Sequence, residues 1–186
     1  MFTTLITPAD LAPRLADPAY VVVDVRHDLV RPERWGEDQY RAGHLPGAHF
    51  AHIDRDLSAP KTGRNGRHPL PSPEGAAALF GRLGIAPGTQ VVAYDQGSGM
   101  FASRLWWMLR WLGHDAVAVL DGGFEHWTRE GRPVSTAVPP PSRATFAPGR
   151  TRPTASAAEI ESALAGSRLT LVDARVAERY RGDVEP

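Results

Sequence analysis

Three short runs constrain the fold most: YVVVDVR (Tyr20 to Arg26), QVVAYD (Gln90 to Asp95) and AVAVLD (Ala116 to Asp121). Each is apolar on both faces and too short for a helix, the pattern of strands in a parallel sheet covered by helices on either side. Between and around them lie helical patterns. TPADLAPRLAD opens with Thr7 as an N-cap and Pro8 behind it, SPEGAAALFGRLG and FASRLWWMLRWLG follow, and the alternation predicts an α/β domain. The polar, turn-rich stretch from Asp54 to Pro71 reads as a surface loop, and the proline-rich, unperiodic residues Arg132 to Pro153 read as an extended linker.

The residues beyond the linker resemble the start of the chain. Thr7-Pro-Ala-Asp-Leu11 returns as Ser156-Ala-Ala-Glu-Ile160, Leu15 as Leu164, and Val23-Asp-Val-Arg26 as Val172-Asp-Ala-Arg175, all at one offset of 149 positions. A shared offset across a helix and a strand predicts a second copy of the same unit, incomplete in this sequence. The expected organisation is a first domain over 1–131, a linker over 132–153 and the opening helix and strand of a second domain over 154–186.

Composition excludes several functions. Lys+Arg and Asp+Glu both number 21, so no net field favours nucleic acid or an anionic membrane. Cysteine is absent, which removes disulfides, thiolate metal sites and a cysteine nucleophile from this chain. The first residues lack the basic start and apolar run of a signal peptide, and no apolar run is long enough to span a bilayer; the expected location is cytoplasmic.

The stretch Val91 to Trp107, VVAYDQGSGMFASRLWW, reads as a buried strand, a glycine turn and a helix, an arrangement that binds anions. Gly97 to Ala102, GSGMFA, fits the G-x-G-x-x-A form of a dinucleotide fingerprint, with Asp121 24 residues beyond Gly97. A nucleophile elbow would need glycine where Gln96 stands. His44, His49 and His52 lie in an irregular segment with no acid at ligand spacing and are read as structural; no metal is expected.

VVVDVR, YRAGHLPGAHF, the glycine loop, RLWWMLRWLGH and LDGGFEHW, in this order, resemble the rhodanese family, and within it the N-terminal domain of tandem thiosulfate or 3-mercaptopyruvate sulfurtransferases. In these motifs Pro46-Gly47 makes a turn, Gly122-Gly123 permits close backbone approach before the helix carrying Trp127, and Trp106, Trp107 and Leu109 to Leu112 form an apolar surface. The resemblance implies that the strand before the loop ends in a cysteine that carries a persulfide; here that position is Asp95. The degenerate loop is Asp95, Gln96, Gly97, Ser98, Gly99 and Met100, and Asp95 is read as a helix cap or as the partner of Arg104. Asp24 with Arg26, and Asp173 with Arg175, are read as an ion pair built into each copy. Arg179 matches the arginine that, by resemblance, contacts an anionic substrate.

The resemblance implies sulfane-sulfur transfer from thiosulfate or 3-mercaptopyruvate to cyanide or a thiol in a complete tandem protein, without cofactor. The partner is a small anionic sulfur donor at the two-domain interface, not nucleic acid or membrane. This chain alone is expected to be inactive. A non-catalytic rhodanese module and an NAD(P)-binding oxidoreductase are the alternative readings.

Overall fold

The computed structural model describes residues 1–166 and 169–184, which form two compact units, Met1–Arg152 and a second unit beginning at Pro153. In the first, strands β1 (Leu5–Ile6), β2 (Tyr20–Asp24), β3 (His49–Phe50), β4 (Gln90–Tyr94) and β5 (Val117–Leu120) alternate with helices α1 (Pro8–Leu11), α2 (Trp35–Ala42), α3 (Pro73–Arg82), α4 (Ala102–Trp111) and α5 (Gly123–Arg129). Every strand pairing is parallel, in the order β1-β5-β4-β2-β3. This is the parallel α/β sheet, covered by helices, that the sequence predicts.

The two-residue period of a strand divides the core. Val23, Val91, Ala93, Val117 and Val119 share one cluster with Phe80 of α3 and Leu105 and Leu109 of α4. Their neighbours Val22, Val92, Tyr94, Ala118 and Leu120 share another with Leu11 and Trp127. Both faces are therefore covered, which explains why the runs lack polar alternation. Thr7 and Ser72 cap α1 and α3 through their side chains, each ahead of a proline that needs no helical hydrogen bond. α4 buries Leu105, Met108 and Leu109, whereas Trp107 is 42 % exposed and stacks on Trp111.

Arg132 to Arg152 is extended, as its composition implies, but it is tied to the first unit along its length. Ser135 exchanges two backbone hydrogen bonds with His44, Ala144 donates to Gly81 O (2.9 Å), Gly149 to Leu112 O (2.8 Å) and Arg152 to Trp111 O (2.8 Å). Phe146 is buried edge-on against Phe80, with centroids 5.1 Å apart. A Cβ on Gly81 would stand 2.7 Å from Ala144 O, so this glycine admits the strap. Proline content suggests a linker because it removes periodicity; anchoring by main-chain bonds and one aromatic leaves no periodic trace.

In the second unit α6 (Ala157–Ala165) forms with a capping box between Ser156 and Glu159, and α7 (Ala177–Arg181) follows. The strand expected over Leu169 to Arg175 is absent: these residues are irregular and mostly exposed, because among the described residues nothing pairs with their backbone as a sheet neighbour. Of the predicted second copy, residues 167, 168, 185 and 186 lie outside the described residues.

The strap makes a prediction. Phe146→Ala should lower unfolding free energy by about 3 kcal/mol, the usual cost of emptying a buried aromatic site, measured as a drop in the urea midpoint at unchanged slope. A free linker would show no change.

Candidate functional site

The chain moves outward from β2 to β3 and then returns across β2 to β4, so a crevice opens beyond the carboxyl ends of β2 and β4. Open α/β sheets bind ligands at such a switch point. The pocket there is lined by Arg26, His27, Trp35, Gln96, Met100 and Phe124 among others.

The glycine loop after β4 forms one wall, and its amides are already occupied. Gly97 N and Gly99 N donate to Asp95 Oδ1 at 2.9 and 3.0 Å, and Phe101 N and Ala102 N donate to Asp95 Oδ2 at 2.8 and 3.2 Å. The fully buried carboxylate thus closes the loop and caps α4 at once. Gly99 holds a positive φ of 76°. Gly123 (φ 55°) lets α5 approach the loop: a Cβ there would lie 2.6 Å from Asp95 O, and the next two amides, Phe124 N and Glu125 N, donate to Asp95 O and Gln96 O at 2.9 Å.

This arrangement corrects two readings. The fingerprint Gly97 to Ala102 offers no free amide cradle for a pyrophosphate, because the chain's own carboxylate fills it. Arg104 does not pair with Asp95 either; it donates to Leu57 O (2.9 Å), His68 O (3.1 Å) and Pro69 O (3.2 Å), stapling the Asp54 to Pro71 loop to α4.

On the floor, Arg26 Nε donates to both Asp24 oxygens (3.1 and 2.9 Å), Arg26 Nη2 to Asp24 Oδ2 (2.6 Å) and Gly43 O (2.6 Å), and Tyr94 Oη to Asp24 Oδ2 (2.7 Å). The guanidinium lies 4.0 Å from the Phe124 ring centroid. Burial pushes the Asp24 carboxyl up, opposed by its bonds to Arg26, and burial drives the Tyr94 phenol far above its ordinary value. Asp173 and Arg175 repeat the geometry in the second unit, with Arg175 Nε at 3.0 and 2.9 Å from the two oxygens and Nη2 at 2.7 Å.

The wall next to the floor carries His27, Asp54 and His68, which the sequence does not single out. His27 follows β2 and is buried, its carbonyl bonded by Gln96 Nε2 at 2.8 Å. Its Nε2 stands 3.7 Å from Asp54 Oδ2, and His68 Nε2 stands 3.4 Å from Asp54 Oδ1. Burial lowers both imidazoles below 6.5. Burial opposes ionisation of Asp54, yet the Lys61 ammonium 2.9 Å away and the two imidazoles bring its carboxyl below the usual range. His52 joins this group, while His44 is buried against Tyr40 and His49 faces Ser142. The group comes from three separate segments, so no local spacing announces it. Arg179 lies in the second unit on α7, half-buried. No helix among the described residues is long and apolar enough to cross a membrane.

A parallel five-stranded sheet with a glycine loop at its switch point defines the rhodanese-like class, and sequence comparison agrees: the Rhodanese-like domain pattern matches residues 7–130. The chain belongs to the rhodanese family. It is 42 % identical over 190 residues to the Pseudomonas aeruginosa protein called "Probable 3-mercaptopyruvate sulfurtransferase", covering 98 % of this chain and 65 % of that one. It is 36 % identical over 177 residues to the 3-mercaptopyruvate sulfurtransferase of Homo sapiens, covering 92 % and 57 %. The crystal structure of SseA from Escherichia coli, a 3-mercaptopyruvate sulfotransferase, superposes with a TM-score of 0.85 at 28 % identity, covering 98 % of this chain and 70 % of that one. The chain therefore spans less than two thirds of the length of these two curated relatives.

Two outcomes follow. Asp95→Cys should yield a thiol whose alkylation-rate midpoint falls below the ordinary value of about 8.5, because the loop amides favour the thiolate; a midpoint at or above that value contradicts the geometry. His27 and His68 enter the fold neutral, so their contribution is full above the unfolded value of 6.5 and is lost as pH falls through their lowered folded values. The urea midpoint should therefore drop as the pH is lowered past 6.5, and drop less in His27→Phe.

Proposed function

We propose that this chain is the non-nucleophilic rhodanese unit of a sulfurtransferase that moves sulfane sulfur from thiosulfate or 3-mercaptopyruvate to cyanide or a thiol. The observation that carries this reading is the Asp95 carboxylate filling the loop's amide cradle. The fold keeps the shape of a persulfide site, but a carboxylate neither attacks a sulfane sulfur nor tolerates an incoming anion. At about 4 Å the repulsion per unit charge is roughly 1 to 4 kcal/mol, depending on screening.

The nucleophile then belongs to a cysteine outside these 186 residues, on a second rhodanese domain of the kind that Ser156 to Arg181 begins. With thiosulfate, its thiolate forms a bond to the outer sulfur, the S–S bond breaks and sulfite leaves with the electron pair. Cyanide next takes that sulfur from the persulfide, and thiocyanate leaves the thiolate free. Arg179 is proposed to pair with the anionic donor beside that cysteine, a task suited to a guanidinium. The first unit supplies no covalent chemistry.

The filled cradle also favours a second reading, a rhodanese module that binds partners without catalysis. One assay separates the two. Residues 1–186 alone should form no thiocyanate from thiosulfate and cyanide above a heat-treated control. The same residues joined to the remaining segment of the Pseudomonas aeruginosa relative should form it, and Arg179→Ala in that chimera should raise KM at least about tenfold, the worth of a charged pair. Turnover by 1–186 alone overturns the proposal, and a folded but inert chimera favours the module.

A further inference from the structure

β2 and β3 are adjacent and parallel, with Asp24 opposite Phe50, so the segments leaving their carboxyl ends run side by side. One carries His27 and the other His52 and Asp54. The loop from Asp54 to Pro71 then folds back and adds His68. The His27 ring stands edge-on to His52 (centroids 5.6 Å) and to His68 (6.0 Å), and Asp54 faces His27 Nε2 at 3.7 Å and His68 Nε2 at 3.4 Å. Three imidazoles therefore surround one carboxylate.

That carboxylate cannot serve both facing imidazoles once they are charged. Its Oδ1 already takes the Lys61 ammonium at 2.9 Å. His52 is committed elsewhere, with Nε2 on Glu33 O (3.2 Å) and Nδ1 accepting from Asp54 N (3.1 Å) and Arg55 N (3.3 Å). His27 and His68 are thus the rings whose nitrogens face Asp54. The other charges acting on His68 are Arg104, Lys61 and Arg67, all positive. Asp28 is next to His27 in the chain but is held by Arg31 at 2.8 Å. A proton on each ring sets two further cations against an anion that is already paired.

The part able to yield is the loop. His27 is fixed behind β2 and buried, and its Nε2 makes no hydrogen bond, whereas no residue from Ala59 to Pro71 is buried. Polar contacts at the root hold the loop down: Arg104 on the carbonyls of Leu57, His68 and Pro69, Ala59 N on Pro69 O (3.0 Å), and Lys61 and His68 against Asp54. Burial keeps both imidazoles below 6.5 while the loop is down, and water restores their ordinary value when it lifts. Closure is therefore full above 6.5 and is lost as pH falls through the lowered values.

We propose that the loop from Asp54 to Pro71 is a proton-operated cover, closed against His27 while the His27 and His68 imidazoles are neutral and lifted when both are charged. His27 also lines the crevice. Lifting the loop gives the crevice a second opening, on its β3 side. Neither Asp95 nor Arg179 takes part, so the device does not depend on the sulfur-transfer reading.

The test uses residues 1–186. The chain has no cysteine, so Arg64→Cys at the exposed loop tip gives a single attachment point for a nitroxide, and Arg129→Cys on the exposed side of α5 gives a control. Electron paramagnetic resonance line shapes are followed from about pH 8 to about pH 5 at constant ionic strength. The ratio of mobile to immobile label at position 64 should rise at least about tenfold, the effect of a one-unit difference in proton affinity between the two loop states. The label at position 129 should not change. With His27→Phe and His68→Phe together, the ratio at position 64 should stay flat; Phe at 27 keeps a ring against Phe101. If that double variant fails to fold, His68→Gln, at a partly exposed position, decides alone and should cut the rise severalfold. A ratio that does not change with pH, one that rises equally without the imidazoles, or a simultaneous change at position 129 overturns the proposal.

Discussion

A single carboxylate held by four backbone amides organises the carboxyl end of the sheet. Without Asp95, the donors of Gly97, Gly99, Phe101 and Ala102 would converge on one point with nothing to receive them, and the start of α4 would lose its cap. The loop's path then fixes the rest of the crevice. α5 docks on it through Gly123, Gln96 reaches the carbonyl of His27, and α4 carries Arg104 to the far loop. What sequence resemblance presents as a lost nucleophile is, in the folded chain, an internal anion that substitutes for an external one.

The Asp24, Arg26 and Tyr94 network does for the floor what Asp95 does for the wall. An isolated buried arginine would be costly; here its charge is met by a bidentate carboxylate, the Gly43 carbonyl and the face of Phe124. The same Asp-x-Arg geometry at Asp173 and Arg175 shows that the motif closes through contacts two residues apart, even where no strand forms around it.

Legibility followed the range of the forces involved. The three long strands, the cap at Thr7 and the glycine loop are set by local periodicity and turn chemistry, and each stands as the sequence reading expects. β1 and β3, at two residues apiece, are too short to show a period and exist because longer neighbours pair with them. The strap is hidden for a similar reason: its anchors are main-chain groups and one phenylalanine. His27, His52, Asp54 and His68 are scattered through the chain, and only the parallel register of β2 and β3 and the staple from Arg104 bring them together. His52, grouped in sequence with His44 and His49, parts from both in the fold.

The strap also determines how the first unit would respond to force. Tension applied at its C-terminal end would load the bonds from Arg152 to Trp111 and from Gly149 to Leu112 first, then the Phe146 contact and the Ala144 bond to Gly81, and finally the bridge between Ser135 and His44. These anchors lie in series along the strap and would open one after another, releasing chain length at each step, before the strap pulled on α5 along the chain. The strap would act as a mechanical fuse ahead of α5.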